Sequence, residues 1–197
     1  MVPDPGRSHG RPPVIPAAAD ETLVVTRLGR IALRRDAELV ALPGTRARLL
    51  LVALALRPGR SRSAAVLIED VWGDAPPRSP MNALHTQISR LRAGLPEGVP
   101  PAGPAGYRLA LGPEQVDLTA ARHSARRAGA ALAAGDPAGA VAIVEQARGL
   151  WSGEPGAELP PSEPATELAD LAAEYAGELD DIERSARAAC GEFEFLQ

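Results

Sequence analysis

The sequence of 197 residues has no lysine, a single cysteine and very few aromatic side chains. Each scarcity excludes something. Cys190 stands alone, so no intrachain disulfide can form, and a reducing, cytoplasmic setting is expected. Without a basic neighbour closer than Arg187, its thiol is expected to be inert. Aromatics make up 3% of the chain, so leucine, valine, alanine and isoleucine must build the cores, which favours packed helices. Trp72 and Trp151 read as core anchors. No apolar run approaches the ~20 residues that span a bilayer, so no membrane partner is expected. His9, His85 and His123 are scattered without metal-ligand spacing, and neither a metal nor a cofactor is expected. A glycine-rich phosphate loop, a nucleophile elbow and an HExxH motif are all missing. The carboxylates Asp180, Asp181 and Glu183 lie on a long acidic face with nothing to build a catalytic pocket around them. The chain does not read as an enzyme.

What is present is charge, unevenly placed. All 21 basic residues are arginine, and the net charge is −4. Residues 22–112 hold 13 arginines against 6 acids, net +7, whereas residues 113–197 hold 6 against 16, net −10. A basic block followed by an acidic block implies two modules with different partners. The first 21 residues are broken by prolines and lack an apolar signal core. They read as a disordered leader, not an export signal.

Residues 22–28 (TLVVTRL), a stretch starting at Ile31, and residues 38–42 (ELVAL) read as three short strands of a small antiparallel sheet. Such a sheet needs a helix to cover it. Thr45 is placed to cap TRARLLLVALALRPG, a helix apolar nearly all round and therefore buried. Ser61 or Ser63 caps the next, SAAVLIEDVWG, with Leu67, Val71, Ile68 and Trp72 as its inner stripe and Gly73 as its stop.

The stretch RSPMNALHTQISRLRAGL organises the basic block. Leu84, Ile88, Leu91 and Leu95 fall on one helical face. Asn82, Thr86, Ser89 and Arg90 fall opposite, with His85 and Arg92 on the flanks. That outer side carries amide, hydroxyl and guanidinium groups and no carboxylate, which are the groups that bond base edges and phosphates. Ser79 is the expected N-cap, with Pro80 at the first helical position. The two helices form a helix-turn-helix, and residues 107–111 alternate like the return strand of a hairpin, or wing.

LGRIALRRDAELVALPGTRARLLLVALALRPG, VLIEDVWGDAPPRSPMNALHTQISRLRAGL and GYRLAL together resemble the OmpR-type winged-helix domain of the SARP family, the Streptomyces antibiotic regulatory proteins. The resemblance implies a helix in the major groove and a wing arginine beside the minor groove. It assigns Arg90, Arg92 and Arg108 as DNA contacts. The full set expected at the DNA is Arg78, Asn82, His85, Thr86, Ser89, Arg90, Arg92, Tyr107 and Arg108.

From residue 113 the chain is similar to the start of the bacterial transcriptional activator domain, which follows the winged helix in that family. Its residues give two helices broken at Gly135, Asp136 and Pro137, a tetratricopeptide-like unit. Val141, Ile143, Val144, Ala147, Leu150 and Trp151 supply the buried side of the second. An acidic, proline-rich connector over residues 153–164 precedes a long helix over about 165–189, with Leu168, Leu171, Ala172, Tyr175, Leu179 and Ile182 along one side.

The fold expected is therefore an α+β winged helix over residues 22–112 followed by an all-α, tetratricopeptide-like domain over 113–197. The function implied is a DNA-binding transcriptional activator of a biosynthetic gene cluster. Its partners would be double-stranded DNA, RNA polymerase or a sigma factor, and a second copy of the chain. Two departures from the family pattern stand out. The expected first arm of the wing reads VPPAGPAG, whose prolines cannot donate to a strand ladder. The helical domain stops at GEFEFLQ, short of the several further helices usual in the family. Stacked repeats of this number would leave an apolar end exposed, as in a fragment, a truncated chain or one covered by a partner. The wing departure keeps a second reading open, a protein-interaction module whose winged helix no longer binds DNA.

Overall fold

The computed structural model describes residues 23–26, 28–35, 38–95, 106–109, 111 and 115–194. Strands β1 (Leu23–Thr26), β2 (Ala32–Arg35) and β3 (Glu38–Ala41) form an antiparallel meander in the order β1-β2-β3. Its register sets Leu33 opposite both Val25 and Val40. The leader expected over residues 1–21 lies outside the described residues.

Helix α1 (Thr45–Ala55) is the centre of the first half, and every residue from Leu49 to Ala55 is buried. Thr45 does not cap it. Gly44 occupies the N-cap with φ 85° and no side-chain cap bond, so the chain turns into the helix one residue early and Thr45 is already inside. Helix α2 (Ala64–Trp72) is capped by Ser63, whose hydroxyl accepts from the Val66 N–H, and ends at Gly73 with φ 55°. Helix α3 (Pro80–Gly94) starts after Ser79, with Pro80 in its first turn as expected, but the Ser79 hydroxyl makes no cap bond.

Helices α4 (Asp117–Ala133) and α5 (Pro137–Arg148) form a hairpin. The Asp136 carboxylate caps α5 by accepting from the Gly139 N–H at 2.8 Å. Helix α6 (Glu163–Glu194) runs 32 residues, about 48 Å at 1.5 Å per residue, and starts two residues before the expected 165. It packs on α4 and α5, and also on α1.

The cores explain that length. Leu168, Ala172 and Tyr175 of α6 join one cluster with α1, α2, α3, and with Val116, Leu118 and Ala121 from the start of the helical half. Further along, Leu179 and the half-buried Ile182 join a second cluster with Ala125, Ala128, Val144 and Ala147. Trp151, half-buried, packs against both clusters. One helix thus serves as a strut through two cores.

The expectation of an exposed apolar end bears on side chains 192–197, which lie outside the described ones. Among the described residues the exposed large hydrophobics are Val66 and Met81, both in the first half. The long helix turns its apolar side first to the winged helix, at Leu168, Ala172 and Tyr175, and then to α4 and α5, at Leu179 and Ile182.

Polar contacts pin the junction at Leu28. Its N–H donates to Asp117 Oδ2 at 2.8 Å, and its carbonyl accepts from the Ser152 N–H. Gly29 adopts φ 134°, and a Cβ there would stand 2.3 Å from Ser152 Oγ and 2.7 Å from the Gly153 nitrogen. Glycine is required at that approach. Arg57 pairs with Glu167 at 2.8 Å, while Arg30 and Arg48 both stand 3.9 Å from Glu158. Part of the charge contrast read from the sequence therefore faces inward, basic half against acidic half, and is not held for separate partners.

Candidate nucleic-acid interface

Helix α3 is held by its apolar face. Leu84, Ile88, Leu91 and Leu95 are buried, and the helix packs on α1 and α2. Each buried leucine contributes about 1.5–3 kcal/mol by leaving water, so the opposite face is fixed in direction. On that face and its flanks Asn82, His85, Thr86, Ser89, Arg90 and Arg92 are all exposed. The structure brings these six expected residues onto one helix surface.

Their roles divide by angle. At about 100° per residue, Asn82, Thr86 and Ser89 lie near the middle of the outer side. Arg90 and Arg92 are two positions apart, hence roughly 160° apart around the axis, one on each flank. A helix lying in a groove meets base edges along its outer line and a phosphate backbone on each side. Neutral polar groups in the middle with arginines on both margins suit that environment. One expected reader is already engaged: the Thr86 hydroxyl donates to the Asn82 carbonyl at 2.9 Å, which leaves it free only to accept.

Arg78, before α3, is exposed as well. Arg78, Arg90, Arg92 and Arg108 form no ion pair among the described residues. This contrasts with the arginines at the junction, which have acidic partners. Among the described residues no helix of the helical half packs onto α3 to the extent that α1 and α2 do; α6 reaches the winged helix through α1.

The expected wing takes a different form at its base. Tyr107 pairs with Arg62, in the connection between α1 and α2, through reciprocal bonds of 2.9 and 2.8 Å. Leu109 accepts from the Gly59 N–H at 2.8 Å. Leu109 and Leu111 are buried, Tyr107 is half-buried and Arg108 is exposed, the two-residue alternation of a strand. Gly106 makes the approach possible, because a Cβ on it would lie 2.3 Å from the Arg62 carbonyl oxygen. Tyr107 is thus anchored by its backbone, and Arg108 is the side chain offered outward. The expected first arm, within residues 96–105, lies outside the described residues.

Arg62 is spent on structure. Its guanidinium donates to the Ala53 carbonyl at 3.0 Å and pairs with the buried Asp70 at 3.1 Å. Burial pushes the Asp70 carboxyl above its ordinary value, outweighing the pull of Arg62 in the other direction.

Sequence reasoning missed Met81. It is 45% exposed in the first turn of α3, beside Asn82 and one turn before His85. An apolar side chain there can pack on a thymine methyl. Its spacing of three to Leu84 and seven to Ile88 continues the apolar stripe, so the sequence carries no signal of its exposure. Gln87 was passed over too; it is buried, and its Oε1 has no hydrogen-bond partner among the described residues.

Among the described residues no group of three or more His, Cys, Asp or Glu side chains is placed to hold a metal ion. No described helix is long and apolar enough to cross a membrane.

Comparison with known proteins bears on both halves. Residues 38–109 match the family described as "Transcriptional regulatory protein, C terminal", and residues 116–194 match "Bacterial transcriptional activator domain". The regulatory protein AfsR of Streptomyces griseus is 38% identical over 150 residues, which cover 76% of this chain and 15% of AfsR. The chain belongs to the SARP family.

Within that family, this SARP is 36% identical to the transcriptional regulator RedD of Streptomyces coelicolor over 114 residues, 54% of this chain and 32% of RedD. It spans 15% of the length of AfsR, so AfsR is far longer than the shared part. Among solved structures, Mycobacterium tuberculosis EmbR in complex with a low affinity phosphopeptide superimposes with a TM-score of 0.80 at 26% identity. The match covers 86% of this chain and 46% of that one. The winged helix followed by a helical domain described above is consistent with these matches.

Proposed function

We propose that this SARP is a sequence-specific DNA-binding activator of a biosynthetic gene cluster, acting in the cytoplasm. Residues 22–112 form its DNA-binding module, with α3 in the major groove and a wing at Arg108 beside it. Asn82, His85, Thr86 and Ser89 face the bases, with Met81 added to them. Arg78, Arg90, Arg92 and Arg108 take phosphates, and Arg90 also reaches a guanine edge. Residues 113–197 carry the contacts to a second copy and to RNA polymerase or its sigma factor. The observation that carries this reading is the outer face of α3: polar, exposed, free of carboxylates and flanked by two arginines that form no ion pair among the described residues.

The test is duplex DNA binding followed by fluorescence anisotropy over a range of salt concentrations. Each neutralised phosphate contributes a log–log slope of about −0.9, so the affinity should fall steeply with salt. Arg108→Ala should flatten that slope by about one contact on every sequence. Arg90→Ala should cost on the order of 1–3 kcal/mol on the preferred sequence. If the wild type fails to bind even at low salt, the reading is wrong, and the protein-docking role for the winged helix takes its place.

A further inference from the structure

Residues 113–197 have 16 acids for 6 arginines. Arg148, Arg184 and Arg187 each pair with a carboxylate. Arg122, Arg126 and Arg127 do not; all three are exposed on α4 with no ion pair among the described residues. In a half so rich in acid, an arginine face without partners is turned away from the acids of its own bundle.

Helix α6 carries the complement. Asp170, Glu174 and Glu178 are exposed and likewise without ion pairs among the described residues. They recur every four residues, a stripe that rises about 6 Å per step. Arg122 and Arg126 have the same step. Beside the acidic stripe run Ala169, Ala173 and Gly177, also exposed, and a Cβ on Gly177 would meet nothing within 4 Å. This low ridge lets another helix approach closely enough for its arginines to reach the carboxylates. Nucleic acid is excluded there by charge.

We propose that the Arg122–Arg126–Arg127 face of α4 docks on the Asp170–Glu174–Glu178 face of α6 in a second copy of this chain. The proposal deepens the two-copy reading above and is independent of DNA binding. Exposed ion pairs are individually weak and screened by salt. Association in free solution is therefore weak, and it strengthens when DNA holds two copies side by side at high effective concentration.

The experiment is sedimentation velocity on the full chain, without DNA, at low and at high salt. Two charge-reversed proteins are compared with wild type: Arg122→Glu/Arg126→Glu/Arg127→Glu, and Asp170→Arg/Glu174→Arg/Glu178→Arg. Wild type should associate at low salt and dissociate as salt is added. Each reversed protein alone should stay monomeric, because like charges then meet. An equimolar mixture of the two should associate again, since every α4–α6 pairing between unlike proteins is once more of opposite sign. A wild type that is monomeric at low salt overturns the proposal, as does association of either reversed protein alone. A mixture that stays monomeric while both proteins keep wild-type circular dichroism overturns it too. Should a triple variant unfold, Arg126→Glu and Glu174→Arg make the same comparison with a smaller shift. DNA binding is not involved in any arm, so failure here leaves the proposed function standing, and the reverse holds.

Discussion

The N–H of Leu28 donates to the carboxylate of Asp117 at 2.8 Å, joining residues 89 apart in the chain. Asp117 is buried, and its second oxygen accepts from the Leu118 N–H at 2.7 Å. The edge of the winged helix is thus bonded to the first turn of the helical half, over a core shared by both. Asp117→Ala leaves the Leu28 N–H buried without a partner, at a cost of about 1–3 kcal/mol. Asp117→Asn keeps an acceptor and should cost less. Chemical denaturation followed at two probes, one in each half, should give a single coincident transition that the alanine variant shifts as a whole.

Gly29 tests the same junction by shape. Any side chain meets Ser152 and Gly153 and must also hold φ 134°. Gly29→Ala should lower stability by about 1–3 kcal/mol. Adding Ser152→Ala should recover only part of it, because the Gly153 backbone nitrogen stays 2.7 Å away. Thermal melts of the single and double variants measure this directly.

Asp70 and Arg62 give an asymmetric pair of mutants. Arg62→Ala strands a buried carboxyl and the Ala53 carbonyl, and should cost on the order of 2 kcal/mol. Asp70→Asn should be nearly neutral or stabilising at neutral pH, since burial already disfavours the ionised form. The pH dependence has a fixed sign. A carboxyl raised in the folded state favours folding below its ordinary value of 3.8 and loses that contribution as pH rises through the folded value. The advantage of Asp70→Asn over wild type should therefore vanish on acidification, which melts across pH would reveal.

Glu183 behaves oppositely. Its bond to Arg187, together with Arg148 from α5, holds its carboxyl below the ordinary 4.5. Arg187 pairs in turn with Glu145 of α5, so Glu183 helps to stitch α5 to α6. Stability from this carboxylate is fully present above pH 4.5 and is lost as pH falls through the lowered folded value. Glu183→Gln should melt with less acid sensitivity than wild type between about pH 5 and pH 3.

How legible was this in the sequence? Helix α3 was plain, because the Leu84, Ile88, Leu91 and Leu95 spacing is local and periodic. So was the burial of α1 from Leu49 to Ala55, a run without a polar side chain. What was hidden depends on contacts between distant segments. Tyr107 pairs with Arg62, and Leu28 meets Asp117 and Ser152; no spacing rule links such positions. The division of α6 between two cores was hidden for the same reason, since one apolar stripe reads alike whichever partner it meets. Small local choices escaped as well: Gly44 displaced Thr45 from the cap, and Thr86 turned its hydroxyl back to Asn82.

The claim that the outer line of α3 reads DNA is tested most directly by selecting bound duplexes from a random pool. Wild type and Asn82→Ala/Thr86→Ala/Ser89→Ala would be compared, with melts to verify that the variant is folded. These side chains are exposed, so stability should change little. Wild type should enrich one sequence pattern, while the variant keeps salt-sensitive binding and loses that pattern. Enrichment of the same pattern by the variant, or no binding by wild type, would contradict the account.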